Sequence, residues 1–182
     1  LTTAGMQPFK KYFLGETSPF GPRVTSCQKC FRTSDIEQVG DESHLTFLEM
    51  LGNFSFGDYF KEAAATWALE LLREGYGLPL ERLRFTYFKG EGHLPADLEI
   101  KEIWQQLGID SSVILPYGRA DNFWGPTGRS GPCGPTTEIH YDLTGRPCSR
   151  GDQCQPGCGC GRFVEIWNLV FNQYYQDESG NL

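Results

Sequence analysis

Between Cys148 and Cys160 the chain reads CSRGDQCQPGCGC, four thiols in the spacing C-x5-C-x3-C-x-C. Thiolates take zinc tetrahedrally, and such a centre folds its own loop. Gly, Pro and Asp between the cysteines suit a tight knuckle. The spacing is not that of a standard finger, so a reduced cysteine-rich surface loop is the competing reading. Zinc on Cys148, Cys154, Cys158 and Cys160 is the expectation, because four exposed thiols would otherwise oxidise.

A second group of chemistry-bearing residues lies in VTSCQKCFRTSDIEQVGDESHLTFLEMLGNFSFGDYFK, Val24 to Lys61. Val24 to Phe31 is an apolar-edged run ending at Arg32. Thr33 to Ser43 is a polar turn holding Asp35, Glu37, Gly40, Asp41 and Glu42, and His44 to Leu51 runs back before a break at Gly52-Asn53. Two such runs predict antiparallel strands joined by a long loop. A guanidinium at a strand end can bind a phosphate bidentately. Phe47 on the return strand can stack on a base, and Glu49 with the backbone of Met50 can read a base edge. On this reading Arg32 and Phe47 face one cleft. The alternative is that Phe47, Met50 and Leu51 are core and Arg32 forms a surface ion pair.

The elements that must position these groups are legible in outline. Leu1 to Gly15 is an extended start passing into a short apolar turn around Phe9 and Phe13, and the Pro- and Gly-containing Glu16 to Arg23 is a loop. Asp58 to Glu74 predicts a helix with Asp58 as N-cap and Trp67 in the core; Gly75 ends it. Glu81 to Lys89 alternates as a strand, Asp97 to Leu107 is a second helix with Ile100, Ile103 and Trp104 on one face, and Val113 to Leu115 a short strand. Asp121 to Asp142 starts Gly- and Pro-rich and ends as a strand on which Glu138 and His140 share a face. Arg162 to Gln176 predicts one long strand carrying Asn168 as a buried amide, which needs a partner. Cys27 and Cys30, three apart on a strand, point to opposite faces and are not read as ligands. His93, in a Gly-rich connection, is given no role.

A chain of 182 residues can bury one sizeable core. With seven cysteines, an odd number with four of them clustered, a disulfide framework is excluded as the organising principle. No apolar run is long enough for a membrane span and no signal-peptide pattern is present, so a reducing, cytoplasmic setting is expected. The formal charge of −7 argues against a broad nucleic-acid surface, including a cysteine-knuckle nucleic-acid binder. LTTAGM starts inside a strand without Met, and DESGNL ends in a polar turn, so the chain is expected to be a fragment of a larger protein.

HLTFLEMLGNFSFGDYFK, with CQKCFR before it and GPCGPTTEIHYD and EIWNLVFNQYY after it, resembles the catalytic domain of alanyl-tRNA synthetases, which are class II aminoacyl-tRNA synthetases. The likeness runs from LTTAGMQPFK to NQYY. It implies an α+β fold, a mainly antiparallel sheet flanked by helices, in one catalytic domain over residues 1–182 with a Cys-rich insertion at about 146–161. It implies attack of an alanine carboxylate on the ATP α-phosphorus, with Mg2+ on the phosphates, Arg32 on the α-phosphate and His44 toward the distal phosphates. Trp124, Asn168 and Val170 would form the alanine pocket. Transfer to tRNA(Ala) would use parts outside this stretch, and the first residues would be the tail of a motif found at dimer interfaces, so oligomerisation is possible. The sequence departs from relatives by a short loop after Arg32 without its Lys, and by Arg129 in a glycine loop that often carries an acid. The third class II motif would lie past Leu182, so the competing reading is a catalytically incomplete module that binds nucleotide or a partner without turnover.

Overall fold

The computed structural model describes residues 2–33, 36–37, 39–40, 44–126 and 128–182. Asp35, Asp41 and Glu42 of the predicted turn, and Thr127 of the glycine-rich loop, lie outside them.

Strands β1 (Arg23–Phe31) and β2 (Phe47–Ser55) pair antiparallel as a two-stranded ribbon, from Arg23 opposite Ser55 to Phe31 opposite Phe47. β2 does not break at Gly52 as expected. Gly52 is a strand residue because the Phe54 ring lies over it; an added Cβ would come within 2.6 Å of that ring. One ribbon face is covered by the N-terminal segment. There the short helix α1 (Lys10–Phe13) and the turn before it bring Phe9 to 4.7 Å from Phe54, and Phe13 to 5.0 Å from Phe56, between ring centroids. Cys30 is buried and Cys27 exposed, as alternation requires.

The larger sheet has six strands: β3 (Leu83–Phe88), β4 (Ile114–Tyr117), β5 (Phe123–Trp124), β6 (Gly131–Asp142), β7 (Phe163–Val170) and β8 (Tyr174–Gln176). β6 is its spine. It pairs antiparallel with β3 and β5 along one edge and with β7 and β8 along the other, while β3 and β4 are parallel. The expected long final strand is divided into β7 and β8 at Phe171–Gln173. At that break the chain crosses Gly134 so closely that a Cβ there would sit 1.9 Å from the Phe171 carbonyl oxygen.

Helices α2 (Lys61–Glu70) and α3 (Leu98–Gln106) cover one face. The core joins Ala65, Ala68, Leu69 and Leu72 to Leu83, Phe85, Ile100, Trp104 and Ile139. Asp97 caps α3, accepting from Ile100 N–H at 3.4 Å. Two expectations for α2 fail. Asp58 is not its N-cap; the helix starts three residues later, and Asp58 pairs with Arg23. Trp67 is 42% exposed, edge-on to Tyr59 and beneath the Arg23 guanidinium. The alanine run gave two stripes of equal helical period, and packing buried the smaller one. Beyond α2, Leu71–Gly75 forms a π-helical turn. No helix among the described residues is long and apolar enough to cross a membrane.

β3 pairs with β6 only over Leu83–Phe85. Past that point a buried polar seam holds the joint. Trp104 Nε1 donates to Thr137 Oγ1 at 2.9 Å, and Thr137 Oγ1 donates to the Thr86 carbonyl at 2.5 Å. Asn122, in the short helix α4 (Arg119–Asn122), donates to Thr86 Oγ1 at 2.7 Å.

The far end of the β6–β7 hairpin is locked by Asp142, whose Oδ2 accepts from Arg162 Nη2 at 2.5 Å while Oδ1 accepts from Thr144 and Gly145 N–H at 3.1 and 2.8 Å. The guanidinium first, and those backbone donors after it, hold the Asp142 carboxyl at about 2 against the opposing effect of burial. A carboxyl depressed in the folded state contributes stability that is complete above its unfolded value near 4 and is lost as pH falls toward 2. Asp142→Asn is therefore expected to be less stable by on the order of 1–2 kcal/mol at pH 7 and to show a shallower stability loss between pH 5 and pH 2.5. Urea midpoints across that range measure it; parallel pH profiles for the two proteins would contradict it.

Candidate functional site

A cleft of about 2350 Å³ lies between the ribbon and the exposed face of the larger sheet. Arg32, Glu49 and Met50 border it from the ribbon; Trp124, Asn168 and Val170 border it from the sheet. Six of the residues singled out in the sequence are thus brought to one concavity. His44 and Phe47 lie outside that lining.

The ribbon's register explains the outcome for Phe47. Arg32 N–H donates to the Thr46 carbonyl at 2.8 Å, so Arg32 stands opposite Thr46, whereas Phe47 stands opposite Phe31. Side chains alternate along a strand. Arg32 therefore shares its face with Leu48 and Met50, and Phe47 is on the other, 56% exposed. The expectation that Arg32 and Phe47 face one cleft is corrected: Leu48, which lines the cleft, is in phase with Arg32. Glu49, one place out of phase, still borders the cleft. Arg32 is oriented by its own Nε, which donates to the Thr3 carbonyl at 2.8 Å. Met50 Sδ accepts from Gly5 N–H at 3.2 Å.

Behind the sheet wall of the cleft, alternate residues of β6 share one face of the sheet: Gly134, Thr136, Glu138 and His140. Trp124 is opposite Gly134, Val170 opposite Thr136 and Asn168 opposite Glu138. Trp124, Val170 and Asn168 therefore project from the same face, in that order. Asn168 is exposed rather than buried; β7 is a border strand along this stretch, so its amide turns into the cleft. Its Nδ2 donates to Glu138 Oε1 at 3.4 Å, and Glu138 Oε2 lies 3.0 Å from His140 Nε2. Ile139, between them, is fully buried on the helix side.

Glu165 was missed in the sequence reading. Ile139 pairs with Trp167 but His140 pairs with Glu165, so β7 carries one extra residue, Ile166. This bulge puts Glu165 on the face of Asn168, although positions three apart on a regular strand point apart. Withdrawal from water pushes the Glu165 carboxyl up first, and the charge of Glu138 adds to it; Arg32 and His140 pull it back. Glu138, His140 and Glu165 thus share one face of the sheet, and Arg32 borders the cleft from the ribbon. Asn172, also on the lining, keeps a buried Oδ1 with no hydrogen-bond partner among the described residues.

The glycine-rich loop before β6 is tied at its β6 end. Lys10 Nζ donates to the Ser130 carbonyl at 2.8 Å and Gln176 Nε2 to the Arg129 carbonyl at 3.5 Å.

The four clustered cysteines meet at the opposite end of the β6–β7 hairpin. All four sulfurs lie within 4.8 Å of one another, with Cys148 to Cys158 at 3.9 Å and Cys154 to Cys160 at 3.8 Å. Sulfurs about 2.3 Å from a tetrahedral zinc ion stand about 3.8 Å apart, so the donor set fits that ion in type, number and spacing. Cys148 N–H donates to Cys154 Sγ at 3.3 Å and Arg150 N–H to Cys148 Sγ at 3.5 Å. The first of these, with help from Arg162, brings the Cys154 thiol down to about 6. Tyr117 Oη docks the knuckle on β4, donating to the Pro156 carbonyl at 2.6 Å.

The chain matches, over residues 1–182, the family described as tRNA synthetases class II (A). Among curated proteins it is 53% identical over 189 residues to the alanine–tRNA ligase of Rubrobacter xylanophilus, covering 100% of this chain and 21% of that one. It is 55% identical to the alanine–tRNA ligase of Dehalococcoides mccartyi, covering 99% and 20%, and 51% identical to that of Treponema denticola, covering 99% and 30%. The chain thus spans between a fifth and a third of the length of these relatives.

Proposed function

The chain belongs to the class II (A) tRNA synthetase family, and from that premise we propose that its cleft activates alanine with ATP as the catalytic-domain part of an alanine–tRNA ligase. The observation that carries this reading is the convergence, in one cleft, of a guanidinium, a carboxylate, an amide and a bulky indole beside a small aliphatic residue: Arg32, Glu165, Asn168, Trp124 and Val170. In the reaction the alanine carboxylate oxygen attacks the α-phosphorus of ATP, the bond to the β-phosphate oxygen breaks, and alanyl-adenylate and pyrophosphate leave. No protein nucleophile is required; the residues position the reactants and offset charge. Arg32 holds the α-phosphate. Leu48 and Met50 give the base an apolar contact, and Glu49 with the Met50 backbone reads its edge; His44 serves the distal phosphates. Trp124 and Val170 bound the methyl group, and Asn168, held by Glu138, bonds the amino acid. Glu138 and Glu165, on neighbouring strands of the sheet, would hold Mg2+, which when bound neutralises phosphate charge; their mutual repulsion is what a divalent cation relieves.

In the same reading the chain is one catalytic domain with the knuckle as an insertion. Cys148, Cys154, Cys158 and Cys160 hold a structural zinc ion, the setting is the cytoplasm, and tRNA(Ala) is engaged largely through other parts of the protein.

The test is alanine-dependent ATP–pyrophosphate exchange by the chain extended to the length of its relatives. A small apolar pocket separates substrates differing by one small group by only about 1–3 kcal/mol. Glycine and serine should be activated measurably and leucine not at all. Trp124→Ala is expected to weaken alanine and admit larger amino acids; unchanged selectivity would make Trp124 a packing residue only. Nucleotide binding without exchange would favour the binding-only module.

A further inference from the structure

β5 is short: its ladder to β6 pairs only Phe123 with Pro135 and Trp124 with Gly134. So short a ladder leaves the tilt of a strand open, and Trp124 needs a second anchor. Asn122, which ends α4, supplies one. It is fully buried, and its N–H donates to the Gly118 carbonyl at 2.9 Å. Its Nδ2 donates to Thr86 Oγ1 at 2.7 Å and lies 3.2 Å from both the hydroxyl and the carbonyl oxygen of Thr136. That carbonyl can only accept, which places the amide nitrogen on this side. Asn122 Oδ1 is buried with no hydrogen-bond partner among the described residues, so the amide acts through its donors.

The acceptors lead to the rest of the cleft wall. Thr86 and Thr136 are themselves buried. Thr136 stands opposite Val170 in the β6–β7 ladder. Thr86 Oγ1 also accepts from Glu138 N–H at 3.0 Å, and Glu138 stands opposite Asn168. This bond continues the β3–β6 joint past its last ladder pair, Phe85 with Ile139. One buried knot of three side chains therefore ties the part of β6 that carries Val170 and Asn168 to the segment that carries Trp124. An apolar contact at this place would tolerate sliding; a satisfied buried network holds one arrangement.

Resting on the alanine-pocket reading, we propose that Asn122 is a positioning residue for substrate choice: its amide fixes the spacing between Trp124 and Val170, and with it the size of the amino acid that the cleft admits. Asn122 touches no substrate. It acts through the strand that begins one residue later.

The test is ATP–pyrophosphate exchange by the chain extended to the length of its relatives, with alanine and with 2-aminobutyrate, which is one methylene larger. N122A is expected to raise the KM for alanine about 10–100-fold, as a wall displaced by a fraction of an ångström does. It should shrink the kcat/KM advantage of alanine over 2-aminobutyrate about tenfold. The KM for ATP should stay unchanged, because Arg32 and the Thr86–Glu138 bond are left in place. T136V removes one acceptor of the amide and should shift the ratio in the same direction by less; T136S keeps that acceptor and should match wild type. A merely structural role would lower the active fraction, reducing kcat for both amino acids alike and leaving both KM values and the ratio where they were. Added to W124A, N122A should change the ratio little further, since both act through one indole. A wild-type ratio in N122A, or the same ratio shift in N122A with and without Trp124, would overturn the proposal. If N122A does not fold, a wild-type ratio in T136V overturns it equally. Unchanged selectivity in W124A alone, or a wild type without alanine-dependent exchange, overturns the alanine-pocket reading, and this proposal with it.

Discussion

Arg32→Ala is expected to lower alanine-dependent pyrophosphate exchange by about 10²–10³-fold in kcat, the usual loss when one pre-aimed donor to developing charge is removed. The magnitude follows from where Arg32 stands. It is the ribbon's cation on the face of Leu48 and Met50, its Nε fixed on the Thr3 carbonyl, and its charge reaches Glu165 on the opposite wall. Substrate phosphate would add negative charge to a cleft already holding Glu138 and Glu165, so without Arg32 the transition state meets net repulsion. Arg32→Lys should recover little, because a point charge cannot keep the Thr3 bond and a bidentate phosphate contact together. Stability should change by no more than about 1 kcal/mol, since the bond lost is exposed. Steady-state exchange beside urea unfolding separates the two effects. Exchange within tenfold of wild type would remove Arg32 from the phosphate site.

Lys61→Met is the largest expected stability loss, about 3–5 kcal/mol. The expected Tm drop is on the order of 10 °C for a chain of this length. Lys61 is 3% exposed, with Nζ 2.6 Å from Asp97 Oδ1 and 2.8 Å from Glu99 Oε2. Glu99 is largely solvated and contributes little. Asp97 is buried, caps α3, and already has one oxygen, Oδ2, with no partner among the described residues. Removing the ammonium strands its charge. The same ammonium lies 5.5 Å from the Phe171 ring, directly after Val170, so the loss also loosens the cleft wall. Adding Asp97→Leu should restore part of the stability, because the buried anion goes with its partner. Thermal unfolding of the single and double variants checks this; a double variant as unstable as the sum of the singles would show that capping, not charge, dominates.

Short-range physics was legible in the chain. Cys27 and Cys30 on opposite faces, Glu138 and His140 sharing one, and four closely spaced thiols all follow from local geometry. The helix positions of Ile100, Ile103 and Trp104 do too, because their stripe has no rival. Where two local patterns were equally good, packing chose: Trp67 and Ala65 both fit a helical stripe, and the sheet accepted the smaller. Phase along the ribbon was likewise not local. Arg32 and Phe47 look like partners until the register pairs Phe31 with Phe47, and one residue of register moves a side chain to the other face. Glu165 was hidden for the same kind of reason. A strand read alone has period two, and only pairing with β6 forces the extra residue at Ile166 that turns Glu165 toward Asn168. Residue types therefore determined which chemistry the chain can do. Strand pairing decided which of those residues meet, because register is set by partners distant in sequence.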